Sequence, residues 1–332
     1  MIKKISFVIL VIAFFIVPAL IESSREYAPG LAVLAGIIFS VCFGNPYINY
    51  TSKITSKLLG ATIVGMGCGM NLSAVIRAGG NGFLYTLIGI ILGIGLGYLL
   101  GKLLKVSKNS AYLVSVGTSI CGGSAIAAAA PALKAQAHDV AIASVTVFTL
   151  NAVALWIFPI IGRALDFNQV EFGYFAALGI HDTSSVVGAT MAFGEEALEV
   201  GTTVKLARAL WIVPVTIFLS VFVADRSEDD SRKIKINIPW FIPWFIIAAA
   251  VVTYLPKLIP AAAEEIAYSG AFLKNISKYL MITTLFMIGA NLSREKIKEL
   301  GIKPILLGII LWLILGTLWC TAIHFNWINC VK

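Results

Sequence analysis

Long apolar runs alternate with short polar connections along almost the whole chain. Eleven of the runs approach the length of about 20 residues that a helix needs to cross a bilayer. They occupy 5–21, 29–44, 54–72, 81–101, 110–133, 138–162, 172–193, 201–224, 239–259, 267–291 and 302–325. The pattern predicts an all-α polytopic membrane protein with about eleven transmembrane helices in a single domain over 1–332.

The connections between the runs carry the turn formers and most of the charge. Only 225–233 is a long polar segment, and it is too short to form a domain. The first run follows Lys3 and Lys4 and resembles a signal peptide, but no A-x-A cleavage site comes after it. We therefore interpret 1–28 as an extra N-terminal helix that is retained.

The composition of the 332 residues supports this interpretation. Hydrophobic residues make up 59% of the chain and charged residues 13%, against about 25% charged residues in soluble domains. Too few charges are present to coat a soluble surface, which argues against a cytosolic enzyme, a disordered chain, a disulfide-rich secreted domain or a coiled coil.

The distribution of Lys and Arg predicts the orientation in the membrane. With eleven spans, 16 of the 25 basic residues fall on the side of the N-terminus and 9 on the other. Since cytoplasmic loops carry the basic excess, the N-terminus is expected in the cytoplasm and the C-terminus outside. The net charge of +8 is spread over short loops, so no nucleic-acid partner is expected.

Motifs for enzymatic or metal chemistry are missing from the sequence. The five cysteines form no CxxC, and only three histidines occur. Gly101-Lys102 is followed by Leu103, which breaks a Walker A motif. Intramembrane protease motifs do not match either, so we expect no enzyme activity, no cofactor and no metal.

Short internal similarities suggest inverted repeats. Asn71-Leu72-Ser73 recurs at 291–293, and Tyr112-Leu113 recurs at 279–280. Both registers pair helices that run in opposite directions, as in many transporters. The second register predicts repeats at 29–162 and 172–325, and the alternative is coincidence between short matches.

The fifth run contains a Gly, Ser and Thr cluster at 115–124, before alanines that lead to Pro131. Such residues weaken a helix, and unwound backbone survives in a membrane only inside protein or beside water. We predict a broken helix whose freed N–H groups and hydroxyls cradle an anion; the alternative is a small-residue packing face. The cradle residues are Thr118, Ser119, Cys121, Gly122, Gly123 and Ser124.

The fourth run has four glycines on one face, at positions 89, 93, 97 and 101, which predict close helix packing.

The seventh run has five consecutive polar residues in its middle, from His181 to Ser185. Polar groups at that depth mark substrate or ion paths, unless the segment is a misdrawn surface loop. Thr183 and Ser184 are therefore predicted to bind substrate. His181 and Asp182 are predicted to carry a coupling proton, since histidine titrates near neutral pH.

Other polar residues lie alone in apolar runs. Lys205 and Arg208 share a helix face and either snorkel to the interface or line an anion path, and Arg208 is included in the predicted substrate site. Asn151 predicts a helix–helix hydrogen bond. The tenth run, which ends at Asn291, is predicted to supply the opposed broken helix and a substrate ligand.

The motifs GTSICGGSAIAAAAP and GIHDTSSVVGA, together with the NLS helix ends, give the sequence a family likeness. It resembles the YeiH-like sulfate exporter family of bacterial inner-membrane proteins, which is grouped with the cation:proton antiporter and anion transporter clan. The resemblance implies a panel and a core domain, inverted repeats, and two broken helices that cross at the membrane midplane. It also implies export of sulfate or a small sulfonate.

Together these features predict a secondary active anion transporter that works by alternating access and is coupled to protons. The alternatives are a passive anion channel and a membrane-embedded anion sensor. The expected partners are a small anion and membrane lipid, and a homodimer is left open.

The charge bias gives a first testable prediction. A reporter fused after Lys332 should be periplasmic, and one inserted at 225–235 should be cytoplasmic, because the two sites lie on opposite sides. Alkaline phosphatase and green fluorescent protein fusions measure this. Both sites on one side would refute the topology.

Overall fold

A computed structural model describes residues 2–21, 28–223, 240–292 and 302–330, and these residues form helices without strands. The helices are α1 Ile2–Leu20, α2 Ala28–Phe43, α3 Ile48–Gly67, α4 Leu72–Leu103, α5 Lys108–Ser119, α6 Gly123–Ala132, α7 Ala137–Ala164, α8 Gln169–Gly179, α9 Thr183–Phe193, α10 Glu195–Ala209, α11 Ile212–Phe218, α12 Phe241–Leu258, α13 Ala263–Ala290 and α14 Ile302–His324. A π-helical turn, Leu219–Val223, extends α11, and a short 3-10 helix, Pro260–Ala262, precedes α13.

Each predicted apolar run coincides with one helix or with a consecutive pair of helices, which confirms an all-helical polytopic protein. Within the described residues, six helical segments are long and apolar enough to cross a membrane by length and composition. They are Lys3–Leu20, Leu72–Leu103, His138–Ala164, Glu195–Val223, Phe241–Leu258 and Ile302–His324. The polar loop at 225–233, Ser293 and Lys332 lie outside the described residues.

The fifth predicted span is a helical hairpin. On one straight helix Ser110 and Ala132 would lie about 33 Å apart. However, Ser110 Oγ donates a hydrogen bond of 2.5 Å to Asp139 Oδ1, and Asp139 is close behind Ala132 in the chain. A Cβ added to Gly117 would lie 2.8 Å from the Ile126 side chain. The chain therefore reverses at 120–122, and α5 and α6 lie side by side.

The seventh predicted span is a second hairpin. The rings of Phe172 in α8 and Phe193 at the end of α9 stack with centroids 3.8 Å apart. A straight helix would separate these residues by about 31 Å. Arg163 at the end of α7 also donates to the Ala192 carbonyl at 3.1 Å. Both ends of α8–α9 therefore lie at one end of the bundle, and the chain reverses at 180–182.

The prediction of eleven spans is therefore wrong in two places. Both hairpins return to the end of the bundle from which they start, so nine of the eleven predicted runs remain candidate spans. Within the described residues, six of these nine contain a helical segment long and apolar enough to cross a membrane. Each arm has only 10 to 12 residues, which is too short to span a bilayer. Lys134 and Arg163 exchange sides in the corrected path, so the basic excess stays on the side of the N-terminus.

Helix α7 sets the distance between the two hairpins. It begins at the base of the first hairpin, where Asp139 accepts from Ser107 and Ser110. It ends at the base of the second hairpin, beside Ala192. Its 28 residues span about 42 Å, while α5 and α8 reach about 18 Å and 17 Å. The hairpins therefore enter from opposite ends and meet near the middle.

The helices divide into two groups by their packing. Helix α13 packs against α1, α2, α3 and α12, and these five form one group. The hairpins pack with α4, α7, α10, α11 and α14 in the other. Helix α9 makes the main connection, because it contacts both α2 and α13. The panel and core domains implied by the resemblance stay a prediction for these two groups.

Small residues on α4 allow the first hairpin to approach closely, as predicted. A Cβ on Gly93 would overlap the Ser119 hydroxyl, one on Gly97 would overlap that of Ser115, and one on Gly101 would lie 2.5 Å from Ala111. The predicted repeats at 29–162 and 172–325 stay a prediction.

Accessibility of the connections would distinguish hairpins from spans. In a cysteine-free variant, single cysteines at Lys105 and Lys134 should react with a membrane-impermeant maleimide from the same side. A cysteine at Asp166 should react from the other side, since α7 separates the two hairpin bases. All three positions are exposed, and labelling after permeabilisation is the control. Opposite sides for 105 and 134 would restore the eleven-span path.

Candidate functional site

The tips of the two hairpins contact each other at Gly122 and Asp182. Gly122 has a φ of +66°, and a Cβ added to it would lie 2.8 Å from the Cβ of Asp182. A side chain at this position would be strained by the backbone and would also push the tips apart. Glycine is thus required by both conformation and space.

Arg208 of α10 joins the two tips. Its Nε donates to the Ser119 carbonyl at 2.5 Å, and Nη2 donates to the Thr118 carbonyl at 2.7 Å. Its Nη1 donates to the carbonyls of Ala177 and Leu178 at 2.9 and 2.7 Å. These carbonyls belong to the last turns of α5 and α8, where a helix leaves acceptors without partners.

Lys205 donates a hydrogen bond to the second tip only. Its Nζ donates to the carbonyl of Ile180 at 2.6 Å, directly after the end of α8. The side chains of Lys205 and Arg208 are 0% and 3% exposed. Of the two alternatives given for these residues, snorkelling to the interface is therefore wrong, because the broken helices supply acceptors for them in the interior.

The observed contacts of Arg208 are with the protein backbone, and its predicted role as a substrate ligand stays a prediction. A guanidinium has five N–H donors, and four of the hydrogen bonds they can make go to backbone carbonyls. Its contacts thus fix the geometry of the tips. Its positive charge remains at the point where the tips meet.

The second arms of both hairpins begin at the same place, with their positive helix ends near each other. Asp182 caps α9 by accepting from Ser185 N at 2.8 Å and from the Ser184 hydroxyl at 2.9 Å. The N-cap of α6 is Gly122, which has no side chain to cap the helix. Gly123 is half-buried and Ser124 is exposed, so the first turn of α6 is accessible.

The other predicted cradle residues lie inside the tips. Thr118 and Ser119 are buried, and within the described part of the chain their hydroxyls have no hydrogen-bond partner. Cys121 is buried in the first tip, and Thr183 and Ser184 are buried at the start of α9. The tip-to-tip contact thus brings together all the predicted substrate residues except Asn291.

The structure places His181 and Asp182 in different surroundings, and their predicted proton coupling stays a prediction. The backbone N–H of His181 donates to Asn151 Oδ1 at 3.1 Å, which is the interhelical hydrogen bond predicted for Asn151. The His181 ring is buried and approaches the edge of Trp312, with centroids 6.4 Å apart. Asp182, in contrast, is half-buried at the tip surface.

Asn291 lies away from the tips. Helix α13 is continuous to Ala290, and Asn291 accepts from Thr51 at 2.6 Å and from Asn45 at 3.1 Å. The prediction that the tenth run supplies the opposed broken helix is therefore wrong. The element that opposes α5–α6 is the second hairpin, α8–α9. Its polar residues form the turn, where the backbone N–H and C=O groups find hydrogen-bond partners.

Sequence reasoning missed the reversals and the burial of Lys205. A signal for the reversals was present: each tip, at 120–122 and at 180–182, lies near the middle of its apolar run, so the arms on either side have only 10 to 12 residues. Arms of 10 to 12 residues fit a re-entrant hairpin better than a span.

Comparisons with known proteins give a family. A family model described as conserved hypothetical protein 698 matches residues 4–308. A UPF0324 membrane protein of Bdellovibrio bacteriovorus is 46% identical over 298 residues, which is 90% of this chain and 89% of the relative. One from Bacteroides thetaiotaomicron is 40% identical over 310 residues, which is 93% of this chain and 90% of the relative. Their names specify a membrane protein and no activity, and no solved structure matches.

The role of Arg208 can be tested by stability. Arg208→Ala leaves four buried carbonyls without a donor, and each unsatisfied acceptor costs about 1–3 kcal/mol. We expect the free energy of unfolding in detergent to fall by at least about 3 kcal/mol. Arg208→Lys should recover only part of this lost free energy of unfolding, because an ammonium cannot reach both tips. Arg77→Ala, at an exposed position, is the control. Equal free energies of unfolding for Arg208→Ala and Arg77→Ala would refute the stabilising role of Arg208.

Proposed function

The chain belongs to the conserved hypothetical protein 698 family of membrane proteins, and we propose that it is a secondary transporter of a small anion. Sulfate or a small sulfonate is the proposed substrate class. The observation that carries the proposal is the meeting of two opposed hairpin tips around two buried cations. Charged side chains in such an environment are costly and usually serve transport or binding.

The charge balance at the tips favours an anion. Lys205 and Arg208 supply two positive charges, and Asp182 supplies one negative charge. Since two helix N-termini also converge there, the local field is positive. A cationic substrate would need carboxylates in their place.

The proposed anion site is the first turn of α6. Its free backbone N–H groups lie at Gly123 and Ser124, and Ser124 adds a hydroxyl. Asp182 already occupies the equivalent position on α9, so the anion would bind at only one of the two N-termini. Thr118 and Ser119 support this site through the carbonyls that hold Arg208.

The layout also suits alternating access. Hairpins that enter from opposite ends around a central site are the kind of inverted arrangement on which many transporters depend. The hairpin group and the α1, α2, α3, α12 and α13 group meet mainly along α9. Ion pairs join them at one end, where Lys274 contacts Glu199 at 3.1 Å and Lys278 contacts Glu195. Sliding of one group past the other would expose the tips to each side in turn.

The proposed site is tested with Gly122→Leu. We expect at least about tenfold weaker uptake of radiolabelled sulfate and taurine into proteoliposomes, because the side chain would meet Asp182 and fill the site. Gly95→Leu is the matched control, because nothing lies within 4 Å of a Cβ at Gly95. Both proteins must elute as folded protein from size exclusion. Equal uptake by the two variants would mean that the tip only packs.

A passive channel would differ from a transporter in the same vesicles. We expect the wild-type protein to accumulate anion above the external concentration when a pH gradient is imposed. Equilibration without accumulation would favour the channel, and binding without flux would favour a sensor.

A further inference from the structure

The two buried cations at the tips differ in what they can do. Arg208 keeps its proton under all conditions in a protein, and it is held by four hydrogen bonds from both tips. Within the part of the chain that the structure describes, Lys205 makes one hydrogen bond, to the Ile180 carbonyl. A lysine amine can exist in either protonation state when it is buried, which is why lysine serves as an acid or base in many sites. One positive charge at the tips is therefore fixed, and the other can change.

Lys205 is placed so that its charge matters. It is fully buried, and among the described residues no Asp or Glu lies within ion-pair distance of its amine. The titratable or charged groups around it are Arg208 on its own helix, Cys121 of the first tip, and His181 and Asp182 of the second. Helix α4, which packs on the same part of α10, presents Gly82 to Val204.

We propose that Lys205 takes up and releases the coupling proton, and that the anion is bound only while Lys205 is protonated. This inference rests on the proposed anion transport. The step is the exchange of one proton between the aqueous phase and the lysine nitrogen, from ammonium to amine and back. With the ammonium, Lys205, Arg208 and Asp182 give the tips a net charge of +1. With the amine, the net charge is zero.

The geometry allows this exchange without disturbing the tip. A neutral amine still has two N–H groups, so Lys205 can donate to the Ile180 carbonyl in both states. The acceptor at the end of α8 stays satisfied while the field at the α6 N-terminus changes. Anion and proton would therefore bind together and cross together.

His181 and Asp182, which the sequence predicts to carry the coupling proton, are less suited to proton exchange than Lys205. Both oxygens of Asp182 accept hydrogen bonds from the first turn of α9, and protonation would weaken that cap. The His181 ring packs toward Trp312, while its backbone holds the tip to Asn151. We assign both a positioning role in the second tip.

The first test needs no substrate. Thermal unfolding of the purified full-length protein is followed from pH 5 to pH 10 for wild type, Lys205→Met and Lys205→Arg. Burial of an ammonium is costly, so the melting temperature of wild type relative to Lys205→Met should rise by about 5 °C from acidic to alkaline pH. This rise adds to a pH-independent difference, because methionine cannot donate to the Ile180 carbonyl. If Lys205→Met does not fold, Lys205→Arg should lose stability relative to wild type as the pH rises, because its charge stays buried. Lys274→Arg is the control and should follow wild type.

The second test uses sulfate as the probe, in equilibrium binding to the same proteins. Wild-type affinity should fall by up to about tenfold per pH unit once Lys205 is neutral. Lys205→Arg should bind sulfate with little change over this range, and Lys205→Met should bind at least about tenfold more weakly at acidic pH.

The outcomes separate this inference from the proposed function. If the melting temperatures of wild type, Lys205→Met and Lys205→Arg change with pH in the same way, proton exchange by Lys205 is overturned, whatever the substrate. Two binding results would also overturn proton exchange by Lys205. One is sulfate binding by Lys205→Arg that depends on pH as in wild type, and the other is sulfate binding by His181→Gln that no longer depends on pH. If wild type binds no sulfate at any pH while the unfolding curves differ as expected, proton exchange stands and sulfate is the wrong anion.

Discussion

The structure depends on the hydrogen bonds from one guanidinium to the ends of two helices. A helix that stops inside an apolar bundle leaves carbonyls that water cannot reach, and each costs free energy if it stays unpaired. Arg208 donates to four such carbonyls, two from each hairpin, and Lys205 donates to a fifth. In return, these dipoles solvate two charges that an apolar interior would otherwise exclude. The broken helices and the buried cations therefore stabilise each other.

This mutual dependence produces the electrostatic character of the site. The helix ends that face Arg208 and Lys205 are C-terminal, so their negative dipoles are matched by positive charge. The helix ends that begin on the other side of the tips are N-terminal and positive. One of them is capped by Asp182, and the other, at α6, is open. A single open N-terminus beside a cationic pair is the physical basis for proposing a small anion as the ligand.

Part of the site could be read from the sequence because it follows from local chemistry. Glycine and hydroxyl residues at 115–124 and polar residues at 181–185 are incompatible with a plain apolar helix, and both segments do break. The glycine face of α4 was predicted by its spacing alone. Asn291 misled the prediction because a C-cap and a broken helix share the same residue types. The role of Lys205 and Arg208 could not be read, because their acceptors lie on helices distant in the chain.

The helices, their apolar character and the places where they must break follow from the sequence alone, because hydrophobic length and backbone propensity act within a few turns of chain. The tertiary structure decided whether each break continues across the membrane or turns back. That choice depends on contacts such as Ser110 with Asp139 and Phe172 with Phe193, which join residues many positions apart. It also decided that Gly122 meets Asp182 and that two cations on α10 reach both tips. The pattern along the chain does not predict such contacts, since they form only when separate elements pack together.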